Sequence, residues 1–489
     1  MLKNEEARRI YERSARLILL LALRDVCPKA TVRIEHSIGH GVYMDVEGVS
    51  LTAALVRRVE ERMHEIVCRN LSIEKSRWTR RQAMDYFAAQ GQTDTVRLLA
   101  YRPFEHFDIY TCDGLSEYFY GDMAASTGEI RNFALRFYYP GMVLLLPGED
   151  LSGLPAPFVE RPQLMRTYAE ANKHSRILAC ESAADLNDLI ARGEARTFIR
   201  VNEALQERAI AHIAERIVAR GARVVFIAGP SSSGKTTFAN RLSIQLRVSG
   251  KRPVAISLDN YYLNREDIPL GEDGKPDLEC PESIDVPLFN EQLVELLAGR
   301  EVEVPRYSFY TKCREAQGTR MKVFQDDILI VEGIHGLNDQ LSCDIPSELK
   351  FRVYVSALTQ LNLDCHNRIR TTDVRLMRRM VRDHRTRATN ALETMQMWDK
   401  VRAGEEKYIF PFQEKADVMF NTSLLYEIAV LKKYAYPLLK EIGKDSPYYT
   451  RSRRLCKFLH YFKDLNEESE IPPTSILREF IGGCSFYDE

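Results

Sequence analysis

Residues Gly229 to Thr237 read Gly-Pro-Ser-Ser-Ser-Gly-Lys-Thr-Thr, after the apolar run Val224-Val225-Phe226-Ile227-Ala228 and before a helix-like stretch, Phe238 to Val248. A strand, a glycine-bounded turn and a helix in that order make a phosphate cradle. The glycines let the backbone curl so that successive N–H groups point inward, and the helix N-terminus adds partial positive charge. Gly229, Ser231, Ser232, Ser233, Gly234, Lys235, Thr236 and Thr237 are the expected contacts. Lys235 is placed for the β- and γ-phosphates and the Thr236 hydroxyl for a Mg²⁺ shell. The alternative is a flexible Ser/Gly loop that happens to carry a lysine. The whole pattern in its strand–helix setting is more specific than that, and it points to a nucleoside triphosphate.

Composition sets outer limits. A chain of 489 residues is too long for one core, so two or three domains are expected. Lys and Arg number 68 against 69 Asp and Glu, so no global field favours nucleic acid and any polyanion site must be local. Ten cysteines are scattered without a Cys-x-x-Cys pair or zinc spacing, as for reduced thiols in a cytoplasmic protein. The apolar run Leu17 to Leu23 is too short for a membrane span; it reads as a buried helix face.

Along the chain, residues 1 to about 150 mix an amphipathic helix, Glu5 to Val26, with strand-like pieces at 31–34, 42–46, 134–139 and 142–146, an α+β pattern. A proline-rich stretch, Pro147 to Pro162, marks a boundary or a surface excursion. Residues 165–220 read as helical, ending at Gly221. From Arg223 onward, short apolar runs at 224–228, 254–258, 328–331, 351–355 and 418–420 alternate with helices. Runs of that kind suit the centre of a parallel sheet covered on both faces, with ligands at the carboxyl ends of the strands. The tail from about Ile442 is basic and aromatic and shows no nameable site.

Three elements carry chemistry. Asp259 follows the strand ending Ser257-Leu258, expected beside the strand that feeds the phosphate loop; it is a candidate base for a substrate hydroxyl or, equally, a helix N-cap. Glu332 closes the apolar strand Ile328 to Val331 and would hold Mg²⁺ directly or through water, the alternative being a surface acid. Arg375, Arg378, Arg379 and Arg382 follow i, i+3, i+4, i+7 spacing and share a helix face. That face could neutralise transferring phosphate, or be an exposed basic surface paired with acids elsewhere.

Taken in order, Gly229 to Thr237, Ser257-Leu258-Asp259-Asn260-Tyr261-Tyr262, Val304-Pro305-Arg306-Tyr307-Ser308-Phe309, Ile330-Val331-Glu332-Gly333-Ile334 and Arg375 to Asp383 resemble the uridine kinase group of P-loop kinases. The resemblance covers about residues 221–440. It implies an α/β P-loop kinase domain and ATP- and Mg²⁺-dependent phosphate transfer to a nucleoside 5′-hydroxyl, uridine or cytidine foremost. It assigns catalysis to Asp259, Lys235 and Arg382, the metal to Thr236 and Glu332, and a mobile lid whose Arg385 and Arg387 meet the nucleotide. Tyr261, Glu279, Tyr307, Phe309, Lys312 and Arg375 would surround the acceptor. Here the chain departs from the family: Glu279-Cys280-Pro281 replaces Asp-His-Pro, and Ser308 and Lys312 replace an Asp and a His. Base specificity therefore stays open.

Ala7 to Pro28, Ile34 to Asp45 and Gly121 to Ile130 resemble the editing-type domain of threonyl-tRNA synthetases. The positions that carry that family's metal site hold Arg13, Leu17, Phe119 and Met123, which implies that the hydrolytic chemistry is lost. His36 and His40 could pair on a metal only if helical, and Ser37-Ile38-Gly39 reads as a turn. The expected organisation is an editing-like domain with connecting segment over 1–195, a helix over 196–220, the kinase domain over 221–440 and an extension over 441–489. A vestigial tRNA or aminoacyl ligand and a homo-oligomer are the partners this implies. Two other functions stay open: a kinase for a different hydroxyl acceptor such as a sugar phosphate, and a non-catalytic, ATP-gated RNA-binding or regulatory protein.

Overall fold

The computed structural model of the chain describes residues 2–148, 153–155, 157–271, 274–308, 311 and 313–487. The expected acceptor residues Phe309 and Lys312 lie outside the described residues.

The first half is α+β, as its mixed pattern predicts. Helix Leu2–Val26 buries Leu17 to Leu23 against helix Ala53–Arg69 and a four-stranded antiparallel sheet. The sheet order is Thr31–Ile38, Gly41–Glu47, Gly141–Leu145, Ala134–Tyr138. Helix Ala53–Arg69 begins where the Thr52 hydroxyl accepts from the Leu55 N–H at 3.2 Å, which satisfies one of the orphan donors of its first turn. A second antiparallel sheet, Glu74–Thr79, His106–Cys112 and Leu115–Glu117, is covered by helices Arg80–Ala89 and Thr93–Tyr101. Helices Pro162–Ile177, Ala183–Ala191 and Ala195–Arg220 lead into the second half.

That half is built on a five-stranded parallel sheet in the order Val418–Asn421, Lys350–Ser356, Val224–Ala228, Asp327–Glu332, Arg252–Ser257. Val224 to Ala228 are buried without exception because helices cover both faces. The strand ending at Ser257 was expected beside this strand, and the structure corrects that. Asp327–Glu332 lies between them, with Glu332 opposite both Ile227 and Ser257. Residue chemistry explains the order. Pro253 has no N–H to donate and Arg252 and Ala255 are exposed, which suits an edge, whereas Asp327 to Val331 are wholly buried.

The two halves share more than a linker. Hairpin Asn362–Arg368 of the second half inserts into the first: Ile34 N–H donates to Cys365 O at 2.8 Å, Asn362 Nδ2 to Ile34 O at 2.9 Å and Asn367 Nδ2 to Tyr118 O at 2.8 Å. Asp373, in the first turn of helix Thr371–Arg387, binds Arg9 of the first helix and Arg454 of helix Tyr449–Leu459. One apolar cluster runs from Phe87 and Leu98 through Ile210 and Ile213 to Val225 and Phe238, and on to Leu455 and Phe480. The segment beyond residue 440 is therefore part of the main core. His36 lies in a strand, its ring 3.6 Å from and stacked on that of Tyr168. Among the described residues the ten cysteines are free and no helix is long and apolar enough to cross a membrane.

The inserted hairpin makes a testable electrostatic contact. His366 Nδ1 lies 3.0 Å from a Glu117 carboxylate oxygen. Burial alone would lower the pKa of His366, but Glu117, with Asp364 and Asp94 behind it, raises it to about 9. A histidine whose folded pKa is raised contributes stability that is complete below its unfolded value and is lost as pH rises through the folded one. The Tm gap between the wild-type chain and His366→Gln should therefore be wide at about pH 6 and close by about pH 10. A gap that does not change with pH contradicts the assignment.

Candidate active site

The phosphate loop is shaped from behind. Gly229 passes so close to the Lys350–Ser356 strand that a Cβ there would stand 1.9 Å from Val355 O, so only glycine fits. Ser232 takes φ +59° and Gly234 φ +83°, the left-handed turns that aim the next amides outward. Among the described residues, no acceptor meets the N–H groups of Gly234, Lys235 or Thr236. These are the donors a phosphate cradle needs.

Glu405 and Arg375 hold the loop from beneath. The Ser231 N–H donates to Glu405 Oε1 at 3.0 Å, and Arg375 Nε donates to Ser231 O at 3.0 Å while its other arm pairs with Glu405. Burial would raise the Glu405 pKa, but Arg375 and Arg402 hold it below the ordinary value. Thr422 Oγ1 donates to Ser233 O at 2.6 Å, and Arg379 Nη1 donates to Ser231 Oγ at 2.8 Å.

Above the loop lies a cluster of acids around one lysine. Lys235 Nζ donates to Pro230 O at 3.3 Å, and burial lowers its pKa against the pull of Glu332, Asp259 and Glu479. The Thr236 hydroxyl donates to Glu332 Oε2 at 3.4 Å, and Ser257 Oγ to Glu332 Oε1 at 3.2 Å. Burial and the Asp259 charge raise the Glu332 pKa to about 7. Asp259 is itself raised by burial, with Lys235, Arg387 and Arg382 opposing. Asp259 is not an N-cap: Ser257 caps the 3₁₀ turn Leu258–Tyr261, and its hydroxyl accepts the Asp259 N–H at 3.3 Å. Three carboxylates facing one ammonium make a site in want of cationic charge. Thr236 and Glu332 supply the hard oxygen donors that Mg²⁺ takes, so the residues fit that ion.

The other expected residues divide. Glu279 is half-buried; burial raises its pKa to about 7, with Glu405 adding to the rise and Arg379 and Lys235 opposing it. Helix Ala391–Tyr408 approaches it through Gly404, where a Cβ would stand 2.5 Å from Glu279 Cβ. Tyr307 is half-buried, its ring 5.5 Å from that of Tyr262. Tyr261 is turned into the core, its hydroxyl donating to Gln292 at 2.8 Å. Arg314 clamps the turn through Tyr261 O and Tyr262 O, both at 3.0 Å, and Asp285 at 3.1 Å.

The arginine face of helix Thr371–Arg387 is split by burial. Arg375 and Arg378 are 1% and 0% exposed; Arg378 pairs with Glu427, Nε donating at 2.8 Å. Arg375, expected around the acceptor, is committed to the back of the loop instead, because a guanidinium buried there needs Glu405 beside it. Arg382 pairs with Asp383 at 2.8 Å, while Arg385 and Arg387 are exposed.

Sequence reasoning missed the tail altogether. Ile476 packs on Gly234, Glu479 Oε2 accepts from the Thr237 hydroxyl at 2.7 Å, and the Tyr487 hydroxyl lies 3.0 Å from the same atom. Arg385 reaches Glu479 O at 3.3 Å. Nothing local marks Ile476, Glu479 or Tyr487 as neighbours of the loop, so only long-range contacts reveal them. Glu405, too, carries no local signal, since it lies far along the chain from the loop it holds.

Residues 224–428 match the model of the Phosphoribulokinase / Uridine kinase family. A uridine kinase of Deinococcus deserti is 28% identical over 197 residues, 40% of this chain and 86% of that protein. A uridine kinase of Halobacterium salinarum is 29% identical over 195 residues, 40% of this chain and 77% of that one. A solved structure described as a possible uridine kinase from Bacillus stearothermophilus is 20% identical, covers 43% of this chain and 97% of its own, and superposes with a TM-score of 0.31.

Glu405→Ala leaves Arg375 as a buried, unpaired charge and the Ser231 N–H without its acceptor. It should lower the unfolding free energy by about 3–5 kcal/mol, read by urea denaturation. A loss below about 1 kcal/mol, the range of exposed pairs, would contradict the buried geometry.

Proposed function

We propose that this chain, whose C-terminal half carries a phosphoribulokinase/uridine kinase family domain, is an ATP- and Mg²⁺-dependent phosphotransferase acting on the 5′-hydroxyl of a nucleoside, uridine or cytidine foremost. The observation that carries the reading is the convergence on one cleft of Lys235, the Thr236–Glu332 pair, Asp259 and loop amides that meet no acceptor among the described residues.

Each residue has a physical task in this account. The amides of Gly234 to Thr236 grip phosphate oxygens, and Lys235 adds charge where it develops on the transferring group. Thr236 and Glu332 hold Mg²⁺, which neutralises phosphate charge when bound. Asp259 accepts the proton of the attacking hydroxyl; its raised pKa makes it a stronger base than a solvated aspartate. Arg382, Arg385 and Arg387 sit toward the end of their helix and supply positive charge to the phosphates. Glu279 offers a carboxylate to a ribose diol.

A sugar phosphate is the second acceptor to test, because Glu279, Ser308 and Lys312 depart from the uridine kinase pattern. Arg314, engaged by three partners around the Asp259 turn, is not free to bind a phosphate there. That observation favours the nucleoside.

The test is ADP release by the purified chain with ATP, Mg²⁺ and either nucleosides or sugar phosphates. Turnover is expected with uridine or cytidine, and turnover with sugar phosphates alone overturns the acceptor. Asp259→Asn should cost about 10²–10⁴-fold in kcat, the usual contribution of a positioned base, with circular dichroism and Tm unchanged. Full activity in Asp259→Asn removes Asp259 from the role of base. Lys235→Ala should lose most of the rate as well, and unchanged turnover there contradicts phosphate binding at the loop.

A further inference from the structure

Apart from the phosphate cleft, the two halves enclose a cavity of about 650 Å³, within the size range of small-molecule sites. Its walls are the hairpin turn near Ser37 to Val42, residues 145–147 and 157–161, the first turn of helix Thr371–Arg387, and helix Ala391–Tyr408. Among the described residues, seven arginines and five carboxylates line it. Each carboxylate already has its cation: Glu5 and Asp399 pair with Arg451, Glu12 with Arg368 and Arg370, Asp373 with Arg9, and Glu406 with Arg402. Among the described residues, no acid meets Arg8 or Arg161.

Helix Thr371–Arg387 opens into the same space. Its N-cap, Arg370, makes no side-chain cap, and no acceptor meets the N–H groups of Thr371 and Thr372 among the described residues. Two further polar atoms on the wall are buried without a hydrogen-bond partner: Oγ1 of Thr359, 8% exposed, and Nδ1 of His36, 6% exposed. Burial lowers the His36 pKa to about 3, so the ring is neutral. Buried polar atoms of this kind are ordinarily satisfied, and here both face a volume large enough for an organic molecule. Tyr168 and Trp398 give that volume aromatic walls.

We propose that this cavity binds a small organic anion. Its phosphate or carboxylate group is neutralised by Arg8, Arg161 and the open first turn of helix Thr371–Arg387, its polar substituents bond Thr359 and His36, and its body lies against Tyr168 and Trp398. The site is separated from the phosphate loop by Arg375, which lines the cavity and donates to Ser231 O. The proposal does not depend on the kinase reading, since it concerns binding in a different cavity.

The experiment is calorimetric titration of the full chain with phenyl phosphate and with phthalate, aromatic probes that differ in their anionic group. Saturable binding of at least one is expected, and which one binds distinguishes phosphate from carboxylate. Affinity should fall roughly tenfold or more in Arg8→Gln/Arg161→Gln, the loss expected for charge-assisted hydrogen bonds, and hold in Lys235→Ala, which alters only the phosphate loop. A measurement on the wild-type chain stands beside the variants: bound probe should protect Arg8 and Arg161 from phenylglyoxal, mapped by peptide mass. The proposal is overturned if neither probe binds, if binding survives the double substitution undiminished, if Lys235→Ala abolishes it, or if both arginines react equally with and without probe.

Discussion

The buried ion pair between Arg375 and Glu405 is the interaction on which the rest of the cleft depends. Each charge in isolation would be expensive away from water. Together they leave donor and acceptor capacity directed at one residue, Ser231, whose N–H and C=O are both engaged. The phosphate loop is thus held in shape by the chain's own side chains. The same helix brings Gly404, next to Glu405, against Glu279. One rigid element therefore meets both Ser231 of the loop and Glu279, and groups held by one rigid element stay within ångström tolerance of each other.

The cleft is electrostatically unfinished by itself. Asp259, Glu332 and Glu479 all act on Lys235, and burial pushes Asp259 and Glu332 away from their ionised forms, with the Asp259 charge adding to the rise at Glu332. A divalent cation with a polyphosphate would bring its own charges into this frame, and preorganised groups gain more in such a setting than flexible ones in water. The tail contributes to the arrangement, because Glu479 and Tyr487 share the Thr237 hydroxyl and Ile476 covers Gly234.

Much of this could be read in the residues, and what could not has definite physical reasons. The five short apolar runs are the five parallel strands; the three central ones carry the mark of burial on both faces. The glycine-bounded loop stands between its strand and helix as its local geometry requires. Strand order at Asp259 departs from expectation because neighbours in a parallel sheet need not be neighbours in sequence; Pro253 is the one local sign of an edge. Helical spacing correctly put Arg375, Arg378, Arg379 and Arg382 on one face. Spacing does not say what a face meets, so the burial of Arg375 and Arg378 against Glu405 and Glu427 was invisible. The tail lay beyond reach for the same reason: its contacts to Gly234 and Thr237 span more than two hundred residues and follow no period.

The account is tested most directly by a crystal structure of the chain with a non-hydrolysable ATP analogue, Mg²⁺ and uridine. The predicted result has phosphate oxygens on the amides of Gly234 to Thr236, the metal between Thr236 and Glu332, and the ribose 5′-oxygen within about 2.6–3.2 Å of Asp259. Phosphates bound away from the loop, or an acceptor hydroxyl out of reach of Asp259 in the closed complex, would contradict it.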